Sequence, residues 1–300
     1  MNQIRSLRFM IPALLMLGLV LSSGCATVAE VGVATGVITP EQGETLSRTF
    51  QDFTPENEYY LGRAVGATIL QRYPAYENEA ASRYVRLVGQ ACAAASDMPT
   101  TFRGYSFLIL DSDEINAFAA PGGFIFVTRG MLRLCRSEDE LAAVLAHEVA
   151  HVQLRHGVNA ISGARKLEAL SLLAEVGIRR FGSDEAVQTL DQLNKLTEIF
   201  GGSVADVVNT LVLKGYSREQ EYEADRVAAT ILDRLGYDPS ALTRVLQRMD
   251  QQVVRGGPGF GSTHPPASER AQEVSKRIVP RRLPAEAART KRFEEAMRGI

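Results

Sequence analysis

Ser137-Glu138-Asp139-Glu140-Leu141-Ala142-Ala143-Val144-Leu145-Ala146-His147-Glu148-Val149-Ala150-His151-Val152 is the stretch from which the rest of the chain can be read. Ser137 followed three residues later by Glu140 has the form of a capping box. Leu141, Val144, Leu145 and Val152 recur at helical spacing, so a helix is predicted to start just after Ser137. On it His147 and His151 lie four residues apart, one turn above the other, with both imidazoles pointing the same way. Two imidazoles so placed can grip one Zn2+ ion. Glu148, beside the first of them, can reach a water held by the metal rather than the metal itself. With four histidines and 35 acidic residues, a chance match to H-E-x-x-H is expected in fewer than about one in a hundred such chains.

A catalytic zinc takes three protein ligands, so a third must come from another element. Ser217-Arg218-Glu219-Gln220 repeats the capping-box pattern and opens a helix carrying Glu221, Tyr222, Glu223, Ala224 and Asp225. Glu221 and Asp225 are also four apart and share a face. One can bind metal while the other orients a histidine through its free ring nitrogen. On spacing alone the same residues also read as a solvated acidic face.

Leu141 to His156, Glu221 to Asp225, and Asn116-Ala117-Phe118-Ala119-Ala120-Pro121-Gly122-Gly123 together resemble metallopeptidase family forty-eight, the gluzincin-type zinc endopeptidases. The likeness covers about residues 50 to 280. It implies a zincin-like domain with one Zn2+ per chain, held by His147, His151 and Glu221. Asp225 would then stand behind a histidine, Glu148 would act as catalytic base, and Glu223 would be a bystander. Phe124 to Val127 resembles the family's substrate-facing edge strand, so Gly123, Phe124, Ile125 and Phe126 are expected where an extended peptide adds by main-chain hydrogen bonds. His264, in Ser262-Thr263-His264-Pro265-Pro266, aligns with a histidine that can occupy the zinc's open position. Its expected role is to gate the metal or to donate to the substrate carbonyl. His156 lies five residues past His151, points elsewhere on an ideal helix, and is expected to be structural. Arg270 is assigned no role.

Outward from these motifs, residues 51–300 are expected to form one zinc metallopeptidase domain of α+β class, mainly helical, with a small sheet near its N-terminal third. Thr54-Pro55-Glu56 starts a helix that Pro74 stops, and a second runs from about Glu79 to Ala95. Tyr105 to Leu110 and Gly123 to Thr128 read as strands, with Ile115 to Ala119 a short piece between them. Arg5 and Arg8, the apolar run Phe9 to Leu21, and Leu21-Ser22-Ser23-Gly24-Cys25 read as a lipoprotein signal over residues 1–24. Cys25 would be the acylated residue, and residues 25–50 a tether. Ala26 after the cysteine favours, by resemblance, the outer membrane. Leu167 to Ile178 is too short and too charged to span a bilayer. Cys92 and Cys135 are expected to be two separate buried thiols.

The formal net charge of −2 provides no basic field for nucleic acid. The expected function is a zinc-dependent endopeptidase of the bacterial cell envelope, cleaving unfolded or misassembled envelope proteins and held to the membrane through Cys25. The alternative is a chaperone-like zinc-binding module that is latent or weakly proteolytic.

Overall fold

The computed structural model describes residues 33–34, 39–40, 53–159, 215–254, 266–276, 278 and 287–300. The leader, nearly all of the tether, the apolar stretch 167–178, the glycine-rich loop 255–262 and His264 lie outside the described residues. Contacts divide the chain into two units, and the fold below is that of Phe53–Ala160 with Val204–Ile300.

Helix α1 spans Pro55–Arg72. The Thr54 hydroxyl accepts from Asn57 N, and proline occupies the first helical position, where no hydrogen-bond donor is needed. Helix α2, Glu79–Ala95, is capped by Asn78 and buries Ala81, Tyr84, Val85, Val88 and Cys92 along one stripe. Three strands follow: β1 Ser106–Leu110, β2 Ala117–Ala120 and β3 Phe124–Thr128. β2 and β3 are joined by a tight turn over Pro121–Gly123, in which Gly122 has φ 73°. Gly62 of α1 packs on this turn so closely that a Cβ there would lie 1.9 Å from the Pro121 carbonyl oxygen.

The sheet order is β1-β3-β2, with β3 parallel to β1 and antiparallel to β2. This corrects the expectation for Gly123, Phe124, Ile125 and Phe126. Gly123 sits in the turn, and the other three lie in the central strand, hydrogen-bonded on both sides. The edge on the far side of β3 from β1 belongs to β2. Thr128 N donates to Asn116 O. By antiparallel alternation, Phe118 and Ala120 then bond inward to β3, while the main-chain groups of Ala117 and Ala119 face outward.

Helix α3, Arg129–Leu134, leads to α4, Glu138–Gln153, which is buried on nearly every side because α2, β2 and the later helices all pack against it. Those are α5 Arg218–Arg234, α6 Ser240–Val254, α7 Ala267–Ser275 and α8 Ala287–Ala296. The Ser217–Gln220 capping box is complete. The one at Ser137 is half made: Ser137 Oγ accepts from Glu140 N at 3.3 Å, but the Glu140 carboxylate accepts from Arg136 N and pairs with Arg248, both at 2.7 Å. A long-range arginine offers a stronger, charge-assisted partner than the cap's own N–H.

Glu138 is held by Tyr84 Oη at 2.5 Å, Tyr237 Oη at 2.8 Å and Arg292 of α8. Burial pushes the carboxyls of Glu138 and Glu140 up, but Arg292 with the two tyrosines, and Arg248, outweigh it and hold both below their ordinary value. A folded-state pKa below the unfolded one contributes stability above the unfolded value, about 4.3 for glutamate, which is lost as pH falls through the folded value. The urea midpoint is therefore expected to be flat near neutrality and to drop on the acid side of about pH 4.3, less steeply in Glu138→Gln. An acid-side slope identical in wild type and variant would remove Glu138 from this account.

Cys92 and Cys135 are free and buried. Burial pushes the Cys92 thiol up to about 12 and that of Cys135 further still, which makes both poor nucleophiles. Among the described residues no helix is long and apolar enough to cross a membrane.

Candidate metal centre

The site lies where α4, α5 and α7 meet. α4 carries His147 and His151 on one face, and α5 brings Glu221 across from its first turn. His147 Nε2 and His151 Nε2 are 3.1 Å apart; Glu221 Oε2 is 3.3 Å from the former, and Glu221 Oε1 is 3.5 Å from the latter. Zinc bonds of about 2.0 to 2.1 Å in tetrahedral geometry place ligand atoms about 3.3 to 3.4 Å from one another. The two imidazole nitrogens and the Glu221 carboxylate, which turns one oxygen towards each histidine, thus stand close to the spacing that one zinc ion imposes, and all three residues are buried.

Charge gives a second, independent fit. Glu148, Glu221 and Asp225 are buried carboxylates, and Arg270 is the buried guanidinium among them. With all three carboxylates ionised and both imidazoles neutral, the states that metal ligation requires, that leaves an excess of two negative charges, which a divalent cation would balance. Buried charge without such a balance is costly.

Asp225 Oδ1 lies 3.0 Å from His147 Nδ1, where it can accept an Nδ1–H and so favour the tautomer whose Nε2 lone pair coordinates a metal; Arg270 Nη2 stands 3.2 Å from that Nε2. Burial raises the Asp225 carboxyl, but Arg270 and His147 hold it below the usual carboxylate range. Without a cation in the site, burial and Arg270 press His147 down, but Asp225 and Glu221 prevail and push it up to about 9, so a proton takes up the negative charge that a metal ion would otherwise neutralise. Glu148 is 2% exposed. Burial raises it, His147 opposes, and Glu221 adds to the rise, leaving it at about 7. A divalent cation bound beside it would pull the carboxyl back down, towards the ionised form that a general base needs.

Arg270 is the residue to which sequence reasoning gave no role. Its Nη1 lies 2.8 Å from Glu221 Oε2, while Nη2 and Nε engage Asp225 Oδ1 and Oδ2 at 2.6 and 2.9 Å. It therefore ties the carboxylate facing the histidines to the one behind them. A signal was present: Arg270 falls on the stripe that buries Ala267, Ala271 and Val274, where a charge is out of place without a partner. Arg270→Met is expected to weaken zinc binding about tenfold or more, as loss of an outer partner does. Chelator competition measures this, and unchanged affinity would show that Glu221 is held without it.

Glu223 faces away from the three donors and is 48% exposed at its side chain. His156 does not point elsewhere as expected: its Nδ1 lies 2.9 Å from His151 Nδ1. The ideal-helix argument fails because α4 ends at Gln153 and Arg155 takes φ 55°. Tyr216, which sequence reading passed over, stacks on the His151 ring at 4.1 Å and donates to Ala119 O at 2.9 Å. His264 lies outside the described residues.

The chain also has recognisable relatives among known proteins. The sequence model described as Peptidase family M48 matches residues 79–278. The chain is similar to the mitochondrial metalloendopeptidase OMA1 of Schizosaccharomyces pombe, with 28% identity over 236 residues, 76% of this chain and 63% of that one. It is also similar to the beta-barrel assembly-enhancing protease of Escherichia coli, with 27% identity over 224 residues, 73% of this chain and 42% of the other. The chain thus spans about half the length of the curated relatives it matches.

Proposed function

The chain belongs to Peptidase family M48, and on that footing we propose that it is a zinc-dependent endopeptidase of the bacterial cell envelope that cleaves unfolded or misassembled proteins. The observation that carries the peptidase reading is the convergence of His147, His151 and Glu221 at zinc-ligand spacing next to a buried glutamate. When bound, zinc supplies a Lewis acid that acidifies a water and polarises the scissile carbonyl. Glu148, a buried carboxylate beside the two histidines, takes the proton from the attacking water and passes it to the leaving amine. Asp225 holds His147 in its coordinating tautomer throughout, and Arg270 keeps Glu221 and Asp225 in register.

The substrate strand is proposed to add to β2 rather than β3. The outward groups of Ala117 and Ala119 form the edge beside α4, and a peptide bound there would compete with Tyr216 for the Ala119 carbonyl. Main-chain pairing gives affinity with little sequence preference, which suits unfolded substrates.

The envelope assignment draws on Arg5, Arg8, the apolar run and Cys25, and on a relative named for β-barrel assembly. Acylation at Cys25 would hold the enzyme to the membrane, since each buried methylene contributes about 0.8 kcal/mol. Purified chain is expected to cleave unfolded casein, to stop with a chelator, and to recover with one equivalent of zinc. No cleavage at full zinc occupancy would sink the peptidase reading in favour of a binding module. Mass spectrometry of the mature N-terminus tests the anchor separately, and an unmodified start other than Cys25 would end it.

A further inference from the structure

We propose that His156 is a positioning residue for His151, and that Glu223 completes a hydrogen-bonded chain behind it; this rests on the ligand set proposed above. α4 stops at Gln153, Leu154 remains in the right-handed helical region, and Arg155 takes φ 55°. That left-handed conformation is disfavoured for a residue with a side chain, and helix ends that use it usually place glycine there. Here it is held from outside: the Arg155 guanidinium pairs with buried Glu58 and donates to Phe53 O at 2.9 Å. The turn brings the chain back under the helix and sets the His156 ring against His151, with 2.9 Å between the two Nδ1 atoms. Both rings are buried. On its far side, His156 Nε2 lies 3.5 Å from Glu223 Oε2. Tyr216, stacked at 16° to the His151 plane, leaves that ring little room to rotate.

Tautomers follow from the geometry. His151 turns Nε2 towards His147 and Glu221, so a coordinating His151 carries its proton on Nδ1. That N–H faces His156 Nδ1, which must then offer a lone pair. The His156 proton is therefore on Nε2, the nitrogen that stands 3.5 Å from the Glu223 carboxylate. His147 is backed by a carboxylate directly, and His151 by a carboxylate through a second imidazole. Neither role can be read from spacing, because on an ideal helix His156 and His151 share no face, and Glu223 reads as solvated.

The test uses the whole purified chain, with zinc affinity from chelator competition and the visible absorption of the cobalt-substituted protein. His156→Ala is expected to weaken zinc binding by about ten- to a hundredfold and to alter the cobalt bands. His156→Gln, whose amide oxygen can accept from His151 Nδ1, should restore most of that loss. Glu223→Gln sits half exposed on α5 and should fold normally, with a smaller loss of about threefold to tenfold. A merely structural His156 would lower the unfolding midpoint in both variants and leave affinity and spectrum alone. Wild-type affinity in folded His156→Ala, or no recovery in His156→Gln, overturns the proposal. Should His156→Ala not fold, unchanged affinity in Glu223→Gln overturns it. Wild-type chain that binds no zinc would overturn the ligand set, and this inference with it.

Discussion

Glu148→Gln is expected to bind zinc as tightly as wild type and to lose nearly all peptidase activity. The two effects separate because Glu148 is not among the donors that converge on the metal position. The amide keeps the size and one acceptor oxygen of the carboxylate but cannot take up a proton. General base catalysis typically contributes about a hundred- to ten-thousandfold, so turnover should fall by at least that range. The buried site should tolerate the change well. Burial disfavours the charged form of Glu148, so a neutral amide of the same shape costs little there. Metal content by mass spectrometry and initial rates on an unfolded protein are the measurements. Activity within about tenfold of wild type would remove the general base from the mechanism.

Glu221→Ala is expected to lose zinc, whereas Glu223→Gln keeps most of it. Glu221 supplies one of three donors, and a catalytic zinc with two protein ligands is held far more weakly. The variant also takes one of the two carboxylates from buried Arg270, whose Nη1 pairs with Glu221 Oε2 at 2.8 Å, so its unfolding midpoint should drop as well. Glu221→Gln separates the two losses, because it retains an oxygen donor and the volume but not the charge; its affinity should fall between those of wild type and Glu221→Ala. Glu223, two residues on, points its half-exposed carboxylate at His156 instead. Zinc held at wild-type affinity in Glu221→Ala, with loss in Glu223→Gln, would reverse the assignment of ligand and outer partner.

Much of the centre could be read from the residues because its parts are local. His147 and His151 share a helix, and any helix places residues four apart on one face, so their pairing needed nothing beyond the capping residue and the apolar spacing around them. The same holds for Glu221 and Asp225 on α5, and for the ends of α1 and α2, where Thr54 with Pro55 and Asn78 provide caps that depend only on neighbouring atoms. Ser137 marks where local reading starts to fail. Its cap forms, but Glu140 leaves the box for Arg248, a residue 108 positions away.

Tertiary structure alone decided the rest. Whether β3 is an edge or a centre depends on β1 lying parallel beside it, and the apolar run Phe124 to Val127 reads the same in either place. Arg270 reaches the site from a helix 45 residues beyond Asp225, and its charge is tolerable only because two carboxylates meet it there. His156 returns to His151 because Glu58, nearly a hundred residues earlier, holds Arg155 in a conformation that its own preferences disfavour. From the sequence came the helices, the caps and the identity of the groups able to bind a metal, since those follow from bonds and spacings within a turn or two. Which carboxylate faces the metal, what stands behind each histidine, and which strand a substrate can reach are set by contacts between distant segments. Their energies depend on burial and charge pairing that exist only in the folded chain.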